Sequence, residues 1–167
     1  MRKRRGKPRS NLLGDFVLFV AALLLCQVAG GIGALATMPS IPGWYAALHK
    51  PAFNPPNWIF GPVWTVLYIM MGVALFLVAR RGFRKFASAL RVFLFQLVLN
   101  SLWSVVFFGM HRPGAAFAVI LVLLAAIIWT IALFRRPSLT AAWLLVPYAA
   151  WVSFASVLNF AVWQLNR

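Results

Sequence analysis

The sequence predicts an all-α integral membrane protein, folded as a bundle of five transmembrane helices. Hydrophobic residues make up 63% of the chain and charged residues only 10%, whereas soluble domains are typically ~25% charged. Five apolar runs are long enough to supply the ~20 residues with which a helix crosses a ~30 Å hydrocarbon core. The basic residues behind the net charge of +15 lie at the ends of these runs, as Lys and Arg do in cytoplasmic loops. We therefore expect a lipid bilayer around the protein and no nucleic-acid partner.

The chain divides into a basic tail, residues 1–11, and one membrane domain, residues 12–167. The first apolar run could instead be a signal peptide, but it is longer than the ~7–15 residues typical of such a segment, so we expect a retained helix. Pro147 lies inside the last run, where a proline should kink the helix or begin a second segment. The five predicted spans are approximately 12–36, 58–79, 86–109, 114–134 and 139–163.

The distribution of basic residues predicts the orientation. Thirteen lie on one face of the predicted bundle, in the tail and in the loops after the second and fourth spans. Only Lys50, Arg112 and Arg167 lie on the other face. Because positively charged loops stay in the cytoplasm, the N-terminus should be cytoplasmic and the C-terminus outside. This bias suits a bacterial cytoplasmic membrane, with the first loop, residues 38–57, on the outer face.

The first loop has an unusual composition. Six of the ten prolines fall between Pro39 and Pro62, interleaved with aromatic residues. Proline fixes φ and lacks an N–H, so the stretch before Trp58 should not be one continuous helix. Structureless loops of this length are uncommon and often functional.

Polar side chains inside the spans are few and share helix faces. On the third span, Gln96, Asn100, Trp103 and Phe107 recur at helical spacing. A buried amide such as Asn100 or Asn159 either hydrogen-bonds across helices or contacts a ligand, and the pattern leaves both open. Indole and amide groups along an apolar cleft suit a large planar aromatic ligand. The comparable stripe on the fifth span is Trp151, Ala155, Leu158, Asn159 and Val162.

The first span carries two further features. Asp15, the only acid of the chain, lies in its first turn, where the helix dipole and nearby Arg side chains favour a carboxylate. Further along, small residues form one face, which either packs against a neighbouring helix or leaves room for a ligand. They are Gly30, Gly31, Gly33 and Ala34.

The sequence lacks the residues that several classes of function require. No span has a charged residue near its centre, which ion pumps and channels normally require. No cluster of acids or cysteines could hold a metal, and nucleophilic hydrolysis lacks its orienting acid. His49 and His111 are candidates for axial haem ligation, although a loop histidine is more often simply solvated.

Three segments together resemble the signature of the TspO/translocator protein family, the tryptophan-rich sensory proteins also called peripheral-type benzodiazepine receptors. The first segment is Trp44-Tyr45, Lys50-Pro51, Asn54-Pro55-Pro56-Asn57-Trp58, Gly61-Pro62-Val63-Trp64 and Leu67-Tyr68. The second is Gln96-Leu97, Asn100, Trp103 and Phe107-Phe108-Gly109. The third is Pro147-Tyr148, Trp151, Phe154-Ala155, Leu158-Asn159 and Trp163.

The resemblance implies a homodimer of five-helix bundles in which the long first loop caps a ligand pocket. It implies a receptor or carrier, sensory or transporting, for porphyrins or haem-related tetrapyrroles such as protoporphyrin IX or haem, with no cofactor required. Sterol-like, isoquinoline carboxamide and benzodiazepine ligands are also implied, and an outer membrane is an alternative location. By matching positions, the ligand-binding residues are Tyr45, Pro51, Trp64, Asn100, Trp103, Trp151, Ala155 and Leu158, and the lid residues are Trp44, Phe53 and Trp58.

Two alternatives accompany this reading. The first is light- and oxygen-dependent porphyrin degradation, with Trp44 or Trp58 as the redox-active aromatic residue; Phe53, where the family often has Trp, weakens it. The second is a structural scaffold for membrane partners. Sterol binding through the fifth span is weakened because Phe160 and Gln164 depart from the proposed cholesterol-recognition pattern, itself a weak motif.

Overall fold

The computed structural model describes residues 11–167, and these fold entirely as helices and their connections. The predicted basic tail therefore lies outside the described residues, except for Asn11. The helices are α1 (Leu12–Thr37), α2 (Asn57–Ala79), α3 (Ala87–Ser104), α4 (Pro113–Phe134), α5 (Leu139–Leu144) and α6 (Val146–Leu165). A 3₁₀ turn (Met38–Ser40) and a π turn (Ile41–Tyr45) prolong α1, and a second π turn (Val105–Gly109) prolongs α3.

Among residues 11–167, five helical stretches are long and apolar enough to cross a membrane, which confirms the predicted five-span bundle. The fifth stretch consists of α5 and α6, separated at Leu145. Pro147 stands in the first turn of α6, where its missing N–H removes no helical hydrogen bond. The predicted break in the last span is therefore confirmed.

The end of the first span differs from the prediction. We expected the helix to end at Ala36 and a structureless loop to follow over residues 38–57, but helical turns continue through Tyr45. Pro39 and Pro42 each occupy one of the first two positions of a new short turn, where proline is tolerated. The non-helical connection is reduced to residues 48–56.

The helices form a closed ring, because α1 contacts α2 and α3, α2 contacts α5, and α4 contacts α3, α5 and α6. Large apolar side chains fill its centre, among them Met71, Phe93 and Phe134, all fully buried. In a bilayer this packing is stabilised by van der Waals contact rather than by exclusion of water.

The two ends of the bundle differ in how closely α1 and α2 approach. We call the end with Leu12 and Arg80 the N-terminal end and the end with residues 46–56 the loop end. Near the N-terminal end, a Cβ on Gly72 would lie 2.9 Å from Leu23 Cα, so only glycine lets the backbones come this close. Asp15, expected beside Arg side chains, pairs with Arg80 at 3.3 Å.

Candidate ligand-binding cavity

Towards the loop end, a cavity of about 590 Å³ lies among α1, α2, α3 and α6. Its volume falls within the ~300–1,000 Å³ of typical small-molecule sites, and its wall, like theirs, is mainly apolar with a few polar groups.

The wall on α1 is the small-residue face noted in the sequence. Gly30, Gly31, Gly33 and Ala34 all line the cavity. Two of these glycines also admit a neighbour, since a Cβ on Gly30 would lie 2.5 Å from the Tyr68 ring and one on Gly33 would lie 3.1 Å from Ser104 Oγ. The face therefore serves both uses that the sequence left open: it packs against neighbours and leaves space.

The wall on α2 is aromatic. Trp64 and Tyr68, one helical turn apart, stack with ring centroids 5.5 Å apart, and both line the cavity. Trp64 also meets the edge of the Tyr148 ring at 6.2 Å. Trp58 lies at the mouth, lining the cavity with 74% of its surface exposed.

A chain of hydrogen bonds runs from the cavity into the core. The Tyr68 hydroxyl donates to Asn100 Oδ1, and Asn100 Nδ2 donates to the Tyr148 hydroxyl at 2.9 Å. That hydroxyl donates to Gln96 Oε1 at 2.9 Å. Tyr68 and Asn100 line the cavity, while Tyr148 and Gln96 are buried behind them. Asn100 thus combines the interhelical and cavity-lining roles that the sequence offered as alternatives.

Asn159 has only the interhelical role. Its Oδ1 accepts from Trp103 Nε1 at 2.9 Å, and its Nδ2 donates to the Pro113 carbonyl at 2.8 Å. These bonds link α3, α4 and α6 and fix the indole of Trp103, which lines the cavity.

Trp151 presents an unpaired donor. The residue lines the cavity, and its Nε1 is buried without a hydrogen-bond partner among residues 11–167. Leaving such a group unsatisfied costs about 1–3 kcal/mol. A ligand with a hydrogen-bond acceptor near this indole would remove that cost.

Most of the sequence-predicted ligand-binding residues come together here. Six line the cavity, namely Tyr45, Trp64, Asn100, Trp103, Trp151 and Ala155. The structure does not bring Pro51 or Leu158 to it: Pro51 lies in the loop, where its carbonyl accepts from the Asn54 amide at 2.9 Å, and Leu158 is buried in a cluster with Val106 and Phe107.

Of the predicted lid residues, Trp58 alone reaches the cavity wall. Trp44 stacks on the His111 ring with centroids 4.4 Å apart, and Phe53 is half exposed with its ring 6.4 Å from that of Phe154. Residues 46–56 do not line the cavity, whose wall at the loop end includes Ile41 and Tyr45 instead.

The loop is tied down at two points. The Tyr45 hydroxyl donates to Asn54 Oδ1 at 3.1 Å. Near the chain's C-terminal end, the Asn166 side chain accepts from the His49 amide at 3.0 Å and donates to the His49 carbonyl at 2.8 Å. We call this pair of bonds the Asn166 clasp.

The two histidines, considered as axial haem ligands, are not in the cavity wall. His111 Nε2 lies 3.2 Å from Ser40 Oγ, and Ser40 Oγ in turn donates to the Phe108 carbonyl at 2.7 Å. Within residues 11–167, no three His, Cys, Asp or Glu side chains come together.

Some lining residues were missed in the sequence. Tyr68 and Ser104 were not proposed as ligand contacts, yet both line the cavity. Each lies four residues after a predicted one, Trp64 or Asn100, and so on the same helix face. Helical spacing counted from Trp64 and from Asn100 would have found them.

The fold and the cavity define a polytopic helical membrane protein with an aromatic chamber inside its bundle. Comparison with known proteins gives the family: the chain belongs to the TspO/MBR family, whose model matches residues 22–164.

The chain is 43% identical over 152 residues to the tryptophan-rich protein TspO of Archaeoglobus fulgidus, and the match covers 91% of this chain and 99% of that protein. It is 47% identical over 144 residues to the protein of the same name from Chlorobaculum tepidum, covering 85% and 91%. It is 40% identical over 127 residues to the human translocator protein, covering 74% and 75%. The family match and these identities confirm the resemblance to the TspO/translocator protein family that the sequence motifs indicated.

Proposed function

We propose that the protein is a membrane receptor or carrier that binds a tetrapyrrole, such as protoporphyrin IX or haem, in the cavity. The mainly aromatic and apolar wall, in which the buried indole N–H of Trp151 has no partner among residues 11–167, supports the proposal. A planar macrocycle stacks on faces such as those of Trp64 and Trp103, and an acceptor on the ligand pairs with the indole. The protein's role is then sensory or transporting.

The binding test compares variants inside and outside the cavity. Protoporphyrin IX is titrated into the detergent-solubilised protein and followed by its own absorption, so that tryptophan replacement leaves the signal intact. Trp151→Phe should raise the Kd by about three- to tenfold, which corresponds to the loss of one hydrogen bond of ~0.7–1.4 kcal/mol. Asn100→Ala should raise the Kd too, because it removes the hydrogen-bond partner that orients the Tyr68 hydroxyl in the wall.

The matched control is Trp143→Phe. Trp143 is 65% exposed and lies on α5, outside the cavity, so its replacement should leave the Kd unchanged. Equal affinities for all variants would refute the cavity as the binding site. Absence of saturable binding by the parent protein would favour the scaffold alternative instead.

A second candidate function is the light- and oxygen-dependent degradation of a bound porphyrin. It is favoured by Trp58, which lines the cavity and is largely exposed, and it would depend on the photochemistry of the ligand itself. Illumination of the complex should then give a product with shifted absorption, reduced in Trp58→Phe but not in Trp44→Phe. Bleaching at the rate of free porphyrin would reject this function.

We also propose that the protein forms a homodimer, with its N-terminus cytoplasmic and its C-terminus outside, in a bacterial cytoplasmic membrane. The basic residues of the N-terminal end support this orientation. A reporter domain fused to the N-terminus should be active in the cytoplasm, and one fused to the C-terminus should be active outside.

Cross-linking in the bilayer should give a dimer. Membrane fractionation would distinguish the cytoplasmic membrane from an outer membrane.

A further inference from the structure

A groove lies on the outside of the bundle, between α3 and α4 near the N-terminal end. It has a volume of about 450 Å³, and none of its residues lines the internal cavity. On each helix these residues recur at helical spacing, so each set forms one edge of its helix. We call this surface the α3–α4 groove; its residues are Ser88, Arg91, Val92 and Phe95 on α3 and Trp129 and Leu133 on α4.

The position of the groove along the helices matches the border between lipid headgroups and hydrocarbon. Arg91 and Phe95 lie four and eight residues after Ala87, the first residue of α3. At a rise of 1.5 Å per residue they are ~6 and ~12 Å from that end of the helix. Trp129 lies five residues before Phe134, the last residue of α4, and tryptophan side chains collect at this border. The groove therefore has a polar end at headgroup depth and an apolar part beside the acyl chains.

The walls of the groove are open and its two helices are firmly packed. Phe95 is 51% and Trp129 is 59% exposed, and Arg91 is exposed as well. Between the same two helices, the buried rings of Phe93 and Phe134 stack with centroids 5.7 Å apart. The groove is thus a fixed surface that a molecule from the bilayer can reach.

The guanidinium of Arg91 has no carboxylate to pair with. The only acidic side chain of the protein, Asp15, pairs with Arg80. Within residues 11–167, Arg91 makes a single side-chain hydrogen bond, from Nη2 to Ser88 Oγ at 3.4 Å. A guanidinium carries five N–H donors, and a charged group within a span normally has a partner. Because the chain has no second acidic side chain, an anion for Arg91 must come from another molecule.

Other basic residues make this end of the groove more positive. Arg84 and Lys85 precede α3, Arg135 and Arg136 follow α4, and all four are exposed. Basic clusters beside membrane helices attract anionic lipid headgroups. A guanidinium can also bind phosphate through two parallel hydrogen bonds. A phosphate that belongs to a lipid fits best, because the groove continues from Arg91 into the depth of the acyl chains.

We propose that the α3–α4 groove binds one anionic phospholipid. Arg91 and Ser88 hold its phosphate, and one acyl chain lies along Phe95 against the ring of Trp129. In the orientation proposed above, this lipid belongs to the cytoplasmic leaflet. The site is separate from the internal cavity and does not depend on the ligand there.

The test measures lipid binding to the full chain in detergent by native mass spectrometry. Phosphatidylglycerol is compared with phosphatidylcholine of the same acyl chains, and the spectra give the number of bound lipids and the Kd. The parent should bind one phosphatidylglycerol about tenfold more tightly than phosphatidylcholine, because the choline cation is repelled by the basic residues around the phosphate.

The charge of the site is tested at Arg91. Arg91→Gln should raise the Kd for phosphatidylglycerol about tenfold and remove the preference over phosphatidylcholine. Arg91→Lys, which keeps the charge but loses the planar fork, should have an intermediate Kd. The matched control is Arg84→Gln, an exposed arginine of the same end outside the groove, which should change the Kd by less than about threefold because distant charges are screened.

The apolar part of the site is tested at Trp129. Trp129→Ala should raise the Kd for both lipids by about three- to tenfold, because it removes apolar surface from the groove. Trp143→Ala is the control, since Trp143 is 65% exposed and lies on α5, outside the groove, and its Kd values should equal those of the parent. All the replaced side chains are exposed, so the variants should fold. Their affinity for protoporphyrin IX should be that of the parent, which separates this proposal from the proposed function.

Three results would overturn the proposal. Equal Kd values of the parent for both lipids, or equal effects of Arg91→Gln and Arg84→Gln, would reduce the site to general surface charge. Displacement of phosphatidylglycerol by excess inorganic phosphate would show an anion site that does not select a lipid. Loss of a cross-linked dimer in Trp129→Ala, with unchanged lipid affinity, would assign the groove to a second copy of the chain.

Discussion

Glycine has opposite surroundings at the two ends of the interface between α1 and α2. Near the N-terminal end, Gly72 has the backbone of α1 where its side chain would be, and the helices close. Towards the loop end, a Cβ on Gly31 or Gly61 would meet nothing within 4 Å among residues 11–167 apart from its chain neighbours, so neither glycine is covered by the other helix. A glycine in a membrane helix therefore marks contact or opening according to its neighbour.

The largest effect that would test this contrast is expected at Gly72. Gly72→Ala places a methyl group 2.9 Å from Leu23 Cα and 3.2 Å from the Ala22 carbonyl oxygen, both backbone atoms that cannot rotate away. Overpacking of this kind costs about 1–3 kcal/mol. Thermal unfolding in detergent, followed by circular dichroism, should show the loss.

The control for Gly72 is Gly31→Ala. Apart from its chain neighbours, a Cβ on Gly31 meets nothing within 4 Å among residues 11–167, and alanine restricts the unfolded chain, so stability should rise by about 0.5–1 kcal/mol. Equal changes in stability for the two substitutions would mean that α1 and α2 pack equally closely at both ends of their interface.

A somewhat smaller effect is expected where the cavity meets the core. Tyr148→Phe removes a hydroxyl that accepts from Asn100 and donates to Gln96, leaving both amides short of a partner. The cost should be about 1–2 kcal/mol. Tyr45→Phe, which removes a half-buried hydrogen bond at the loop end, should cost less under the same unfolding assay. The reverse order would show that the loop end is the more tightly held.

At the loop end itself, Asn166→Ala should loosen one segment and leave the bundle intact. The His49 backbone groups regain hydrogen bonds to water, so overall stability should fall by less than about 1 kcal/mol. Hydrogen exchange should quicken over residues 48–56 and stay unchanged in α2. Gln164→Ala, at an exposed position near the end of α6, serves as the control, and equal exchange in both variants would argue against the clasp.

The smallest effect is expected at the N-terminal end. The Asp15 and Arg80 side chains are 33% and 42% exposed, and such ion pairs contribute about 0–1 kcal/mol. A double-mutant cycle with Asp15→Asn and Arg80→Gln should give a coupling energy in that range, falling in high salt. A coupling energy that is larger and independent of salt would show that the pair is shielded from water.

The sequence predicted the five spans because each is a long apolar run, and it predicted the break at Pro147 because a proline in a helix has few compatible positions. It placed the end of the first helical stretch at Ala36, whereas 3₁₀ and π turns prolong α1 to Tyr45. The proline rule excludes an uninterrupted α-helix, but Pro39 and Pro42 each begin a new helical turn, so the rod continues in 3₁₀ and π form.

The cavity was predictable where helix periodicity governs it and not where distant contacts do. Asn100, Trp103 and Trp151 lie on inward faces that spacing identifies, whereas Trp64 was predicted from the family resemblance. Trp44 instead stacks on His111, which lies in the turn before α4. A local sequence pattern cannot predict a contact between residues so far apart in the chain. The loop position of Pro51 likewise depends on how residues 48–56 lie across α6.

The hydrogen-bond chain behind the cavity has a direction. Tyr68, Asn100 and Tyr148 each pass a hydrogen inward, ending at the Gln96 carbonyl oxygen, so the Tyr68 oxygen is left to the cavity as an acceptor. Trp151 supplies a donor in the same wall. A ligand that instead accepts from Tyr68 must reverse two hydroxyls and two amides together. Because hydrogen bonds in a chain polarise one another, what binds at the wall then sets the orientation of an amide deep in the protein.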